Sequence, residues 1–106
     1  MQVKVFIARK VDRENEEQIR PLLMKLRSLA MEQPGYISGE TLINVDDPED
    51  YMVVSSWKNL EDWNRWFESA ERKELQGEVD ALLGHQTLYE IFLFWITGAF
   101  DPKSGS

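Results

Sequence analysis

The sequence predicts an α+β fold: a ferredoxin-like βαββαβ sandwich in which two helices cover one face of a four-stranded antiparallel sheet. Three observations carry that reading. The segments 3–11, 36–43, 51–57 and 87–96 have strand length and an alternating or uniformly apolar character. The stretches 14–31 and 60–83 repeat apolar residues every three or four positions, as amphipathic helices do. In that order, right-handed crossovers place both helices on the same side of the sheet.

The first strand sets Val3, Val5 and Ile7 on one face and Lys4, Phe6 and Ala8 on the other. In the first helix Ile19, Leu22, Leu23, Leu26, Leu29 and Ala30 form the apolar stripe. Asn15 followed by Gln18 has the spacing of a cap and its returning side chain. Pro21 falls inside the stripe, where it removes a hydrogen bond and predicts a kink or a later start. Gln33-Pro34-Gly35 ends the helix. The second strand contains Gly39, which marks a bulge or a close contact. The acidic turn NVDDPED joins it to the third strand in a hairpin. In the second helical region Leu60, Trp63, Trp66 and Phe67 are separated from Leu75, Val79, Leu82 and Leu83 by the polar run ESAERKE, read as a break or a surface stretch. Gly84-His85 closes it. The last strand, LYEIFLFWI, is apolar on both alternate sets and carries one charge, Glu90. A strand in a two-layer domain ought to present one face to water. Its absence predicts a homodimer, with a second copy of the chain packed on the open side of the sheet.

Length and composition predict a single domain, 1–98, and a flexible C-terminal tail, 99–106. The chain has no Cys, which excludes disulfides and thiol chemistry. Its net charge of -7 argues against a nucleic-acid partner. No basic leader precedes an apolar stretch and no apolar run is long enough to span a membrane, so a cytoplasmic protein with no membrane partner is expected. There is one histidine, His85, and no zinc spacing, calcium loop or Gly-rich phosphate loop. No metal and no cofactor are therefore expected.

Four segments together resemble the antibiotic biosynthesis monooxygenase family: the strand VFIARKV, the helix end QPGYISGETL, the hairpin NVDDPEDYMVVSSW, and LEDWNRWFESAERKEL after it. The resemblance spans residues 2–95. It implies a homodimer whose two sheets form a dimeric α+β barrel. The activities it implies include cofactor-independent quinol-forming oxygenases and haem-degrading oxygenases; fold carries over more directly than chemistry. Many members have His where this chain has Trp66. The haem-degrading branch has Trp there, a His ten residues on, which is Gln76 here, and an Asn on the first strand near Ala8 or Arg9. Two of those three are absent, which disfavours haem. The quinone-forming polyketide oxygenases resemble this chain in Trp66 and carry an Asn one turn earlier, at the position of Asp62.

The candidate catalytic residues are Trp66, Asp62 and Arg9, with Gln76, Trp63 and Tyr51 as further pocket residues. Trp66 stacks a flat aromatic substrate or is a core tryptophan. Asp62 accepts a phenol proton or merely favours the helix dipole. Arg9 is a lone basic side chain on an apolar strand face. It holds an anionic or phenolate-like oxygen, or pairs with the acidic turn of a neighbouring chain. Gln76 orients a ligand only if the ESAERKE stretch bends, since it lies about 80° away from Trp66 on a straight helix. Trp63 reads as core, and Tyr51, like Tyr36 and Tyr89, donates into a cavity or packs in a strand. The expected function is a cofactor-independent monooxygenase of a small aromatic or polycyclic phenol. The alternative is a non-catalytic dimeric module that binds a small molecule or is purely structural. The pocket is expected within each subunit, between the second helix and the sheet, walled by Trp66 and open toward the first strand.

Overall fold

The chain runs β1 (Val3–Lys10), a short 3-10 turn (Arg13–Asn15), α1 (Glu16–Met31), β2 (Tyr36–Ile43), β3 (Asp50–Trp57), α2 (Leu60–Phe67), α3 (Ala70–Leu83) and β4 (Leu88–Leu93). The computed structural model describes residues 1–95; the predicted tail and the end of the last predicted strand lie outside the described residues. The βαββαβ order is present, with the second helical region split in two. The four strands form one antiparallel sheet in the order β2-β3-β1-β4.

That sheet is open, and the expected barrel is not formed. Among the described residues, β2 and β4 are its two edges and no pairing joins them. Four strands are too few to curl closed, since a filled barrel takes about eight. An apolar strand signals surface that needs cover, and cover does not require closure.

Alternation along β1 decides where the core sits. Val3 and Val5 point toward the helices and are fully buried, opposite Trp57 and Ser55 of β3. α1 lays Ile19, Leu26 and Ala30 on this face, and α3 adds Leu75, Val79 and Leu83. Trp57 stands at the centre, edge-on to Tyr36 at 5.3 Å and to Trp63 at 5.7 Å. Its indole N–H donates to Ser55 Oγ at 3.1 Å, so the buried polar atom is satisfied. On the opposite face Phe6 packs edge-on against Phe92 at 5.2 Å, and Phe92, Leu42 and Leu88 remain exposed.

Local chemistry fixes the joints. α1 runs through Pro21, which lies in its second turn. Asn15 makes no side-chain cap; its amide donates to Leu82 O at 3.1 Å and ties the start of α1 to the end of α3. Gly35 turns the chain into β2 with φ +87°, and a side chain there would overlap Asp62. The irregularity in β2 falls between Tyr36 and Ser38; Gly39 is instead a close contact, lying beneath the Tyr36 hydroxyl. α2 opens on Asn59, whose side chain accepts from Asp62 N at 2.8 Å. After the break at Glu68-Ser69, Ser69 caps α3 by accepting from Arg72 N at 3.3 Å.

Candidate functional site

The period of two that buries Val3 and Val5 also turns Ile7 and Arg9 toward the helices. Between them and α1, α2 and α3 lies a partly open cavity of about 70 Å³. At about 10–15 Å³ per water it has room for roughly five waters, about half the 150 Å³ of an enclosed cavity that takes up one benzene ring. Trp57, Trp63 and Trp66 form its aromatic wall, and Leu23, Leu26 and Ala30 of α1 the aliphatic one. Arg9, Arg72, Gln76, Tyr89 and Ser55 supply the polar groups, and Arg27 and Thr41 also line it.

Arg9 is 7% exposed and donates from Nη2 to Gln76 Oε1 at 3.0 Å. Gln76 is itself held in place: its Nε2 donates to Asp80 Oδ1 and to Thr87 Oγ1, both at 2.8 Å. Thr87 in turn donates to Asp80 Oδ1 at 3.0 Å. Arg9 Nε is buried and has no partner among the described residues. Burial lowers the Arg9 pKa from its ordinary value; Tyr89 and Asp80 oppose the shift, and the Arg72 and Arg27 charges add to it.

Arg72, also 7% exposed, donates from Nε to Phe67 O at 2.7 Å and from Nη1 to the Tyr89 hydroxyl at 3.0 Å. Its guanidinium carbon lies 4.3 Å from the centre of the Phe67 ring, a cation–π contact. Arg27 bridges α1 to β2, donating to Gly39 O at 3.1 Å and Thr41 Oγ1 at 2.7 Å. Among the described residues, three guanidinium groups therefore line the cavity and no carboxylate does.

Of the six residues singled out in the sequence, four meet here: Trp66, Trp63, Arg9 and Gln76. Trp66 is 5% exposed and is both core and cavity wall. Gln76 reaches Arg9 because the chain breaks at Glu68-Ser69 and α3 starts afresh. Asp62 is not on the cavity. Its carboxylate lies over Gly35 and accepts from Arg65 Nη1 at 3.0 Å. Tyr51 packs against the core outside the lining. The acidic turn does not pair with Arg9 within the chain; Asp47 takes Lys10 at 2.6 Å instead. His85 is exposed, and among the described residues no group of His, Cys, Asp and Glu could hold a metal. Nor is any described helix long and apolar enough to cross a membrane.

Sequence reasoning passed over Arg72. It was visible as the first member of a helical series, Arg72, Leu75, Gln76, Val79 and Leu83, once Ser69 is taken as a cap.

The sequence model of the antibiotic biosynthesis monooxygenase family matches residues 2–78, well over half of the chain. The chain belongs to this family. No curated protein matches it by sequence. Solved structures share the fold of the family at low identity. A conserved protein from Methanosarcina mazei superposes with a TM-score of 0.80 at 18% identity, covering 87% of this chain and 91% of its own. SnoaB of Streptomyces nogalater, a cofactor-independent oxygenase, gives 0.79 at 14% identity over 91% and 95%. A Mycobacterium tuberculosis protein gives 0.81 at 12% identity over 93% and 100%. At these identities the likeness carries the fold alone.

Proposed function

We propose that this family member is a small oxygenase of a single-ring phenol, in which the substrate's own electrons reduce O2. One observation carries the reading: a small, partly open, aromatic-walled cavity faced by Arg9, Arg72 and the Tyr89 hydroxyl. Two guanidinium groups facing a partly open cavity favour the ionised form of a bound phenol, so its proton can leave to solvent without a side-chain base. The phenolate passes an electron to O2, and the radical pair closes a C–O bond at the para carbon. Loss of that carbon's proton and cleavage of the O–O bond leave a quinone and one water, balancing phenol plus O2. Arg72 donates to Tyr89, which leaves the tyrosine proton free to go to the departing peroxide oxygen. Trp66 and Trp63 hold the ring. A polycyclic phenol exceeds the cavity, and a porphyrin exceeds it further. The haem branch's His position is moreover filled by Gln76, whose amide is fully engaged by Arg9, Asp80 and Thr87.

The homodimer forms part of the same proposal. The half-exposed Phe92, Leu88 and Leu42 on the open sheet face support a second copy packing there. Each subunit then holds its own site, since the cavity lies between the sheet and the helices, on the face opposite that contact.

The alternative, a binding module without turnover, is favoured by one specific observation: no carboxylate or histidine lines the cavity to act as a base. Oxygen-electrode measurements with substituted phenols and hydroquinones separate the two. Oxygen uptake with one-ring phenols, lost in Trp66→Ala and Arg9→Gln, is expected. Binding without uptake by any phenol would leave the module reading standing and remove the oxygenase.

A further inference from the structure

We propose that the ligand of this cavity is an aromatic carboxylate, with its ring against Trp66 and Trp63 and its carboxylate between Arg9 and Arg72. The proposal deepens the oxygenase reading by naming the substrate class, a 2-hydroxybenzoate-type acid whose hydroxyl sits beside the carboxylate and whose carbon para to the hydroxyl keeps its proton, but binding alone decides it.

The argument begins with charge. The chain carries 19 acidic and 12 basic residues, yet its cavity is lined by three arginines and by no acid. Taking a cation out of water without a counter-ion is among the costliest things a fold can do. Arg9 is in that position. Of its five N–H donors, one has a protein acceptor among the described residues, the neutral amide oxygen of Gln76. Nε, in the planar fork that matches a carboxylate, has none. The nearest acid in the network, Asp80, acts at one remove: its Oδ1 accepts from Gln76 and Thr87, so it orients Gln76 without neutralising Arg9.

Arg72 repeats the pattern. Its acceptors, a backbone carbonyl and a phenol oxygen, are neutral, and Phe67 stacks on it. Two well-held cations without counter-ions face one void, and a ligand that brings the missing negative charge completes both. A phenol brings negative charge only after losing its proton, and then on a single oxygen. A free phosphate would match the charge and leave the tryptophan wall unused. A benzoate-type acid meets both conditions, with two coplanar oxygens for the guanidinium fork.

Three of the four tryptophans line the cavity, so ligand entry is read by quenching of intrinsic fluorescence. The probes are benzoate, 2-hydroxybenzoate, the neutral methyl ester of 2-hydroxybenzoate, acetate and inorganic phosphate, at one ionic strength. Benzoate has no hydroxyl to oxidise, so its binding stands apart from any failure of turnover. Saturable quenching by both aromatic acids is expected, at least about tenfold tighter than by the ester, as one charge-assisted contact provides. Acetate and phosphate should not saturate. Arg9→Gln and Arg72→Gln should each weaken the acids by a similar factor, and Lys10→Gln, outside the cavity, should bind as wild type does. Thermal melts verify that each variant folds; Arg9→Met replaces Arg9→Gln if the latter does not. The proposal is overturned if the ester binds as tightly as the acid, if acetate or phosphate saturates the site, if neither arginine variant loses affinity, or if no aromatic acid binds.

Discussion

On the helix side of β1, Val3 and Val5 are wholly buried and Arg9 nearly so, while one residue out of phase Lys4, Phe6 and Ala8 are only half covered. β3 differs: it is half covered from Asp50 to Val54 on both faces and closed from Ser55 to Trp57. One side of the sheet thus has its apolar groups satisfied and its charges unmatched. The other has a polar rim of Lys4, Glu40 and Glu90 around apolar groups that still face water. Each side asks for a different partner: the first a small anion, the second another protein surface.

The sharpest way to break the contrast is to remove the centre of the enclosed side. Trp57→Ala deletes a side chain 1% exposed and should cost about 3–5 kcal/mol, a large part of the stability of a small domain. Thermal unfolding followed by circular dichroism is expected to show a midpoint drop of well over ten degrees, or no folded state, by roughly 4–8 °C per kcal/mol. The open side calls for the opposite design. Phe92→Asp alters a residue 51% exposed in the single chain, where a surface substitution moves stability by about 0.5 kcal/mol or less. If a second copy covers that face, the buried charge costs several kcal/mol of association, and sedimentation should show the wild type as a dimer and the variant as a monomer. A monomeric wild type would show that the exposed face has no mate of its own kind.

A third change should improve stability. Burial depresses the Arg9 pKa, so the charged form is penalised by folding at every pH below that depressed value. The penalty is relieved only as pH rises from the folded toward the unfolded pKa. Arg9→Met removes the charge and keeps most of the volume, so its melting midpoint should rise, by about 1–4 kcal/mol of added stability, while aromatic acids no longer bind. A midpoint that falls would mean that Arg9 is a structural pillar. The smallest effect belongs to the exposed Lys10–Asp47 bridge at 2.6 Å. Lys10 holds the Asp47 carboxyl below its ordinary range, so the bridge contributes above the unfolded pKa and is lost as pH falls through the folded one. Asp47→Asn should lower the midpoint slightly at neutral pH and not at all in strong acid or high salt.

Much of the enclosed side was legible beforehand. Period and length gave the order of strands and helices, and the apolar stripe through Ile19, Leu26 and Ala30 is the one that packs. Arg9 stood out because a charge on an apolar strand face has few ordinary explanations. Asp62 misled for a physical reason. Spacing of one turn puts two residues on one helix face, but it says nothing of reach, and a short carboxylate seated over Gly35 does not arrive where the Trp66 indole does. Arg72 was hidden by its neighbours, since ESAERKE reads as solvated until the cap at Ser69 resets the helical phase. The barrel was over-read. Apolar residues on both faces of the last strand report uncovered area, and area carries no information about which strand edges pair.

The two-residue joint at Glu68-Ser69 also bears on descent. It separates a rod bearing Trp63 and Trp66, α2, from a rod bearing Arg72 and Gln76, α3. Because each helix carries its own cap, a residue gained or lost in the joint would be absorbed as rotation of α3, by about 100° per residue. That one event would swing Arg72 and Gln76 away from the void and bring other side chains to it, leaving the tryptophans where they are. Insertions at this joint are therefore a short mutational route by which relatives with the same fold could come to accept ligands of different charge.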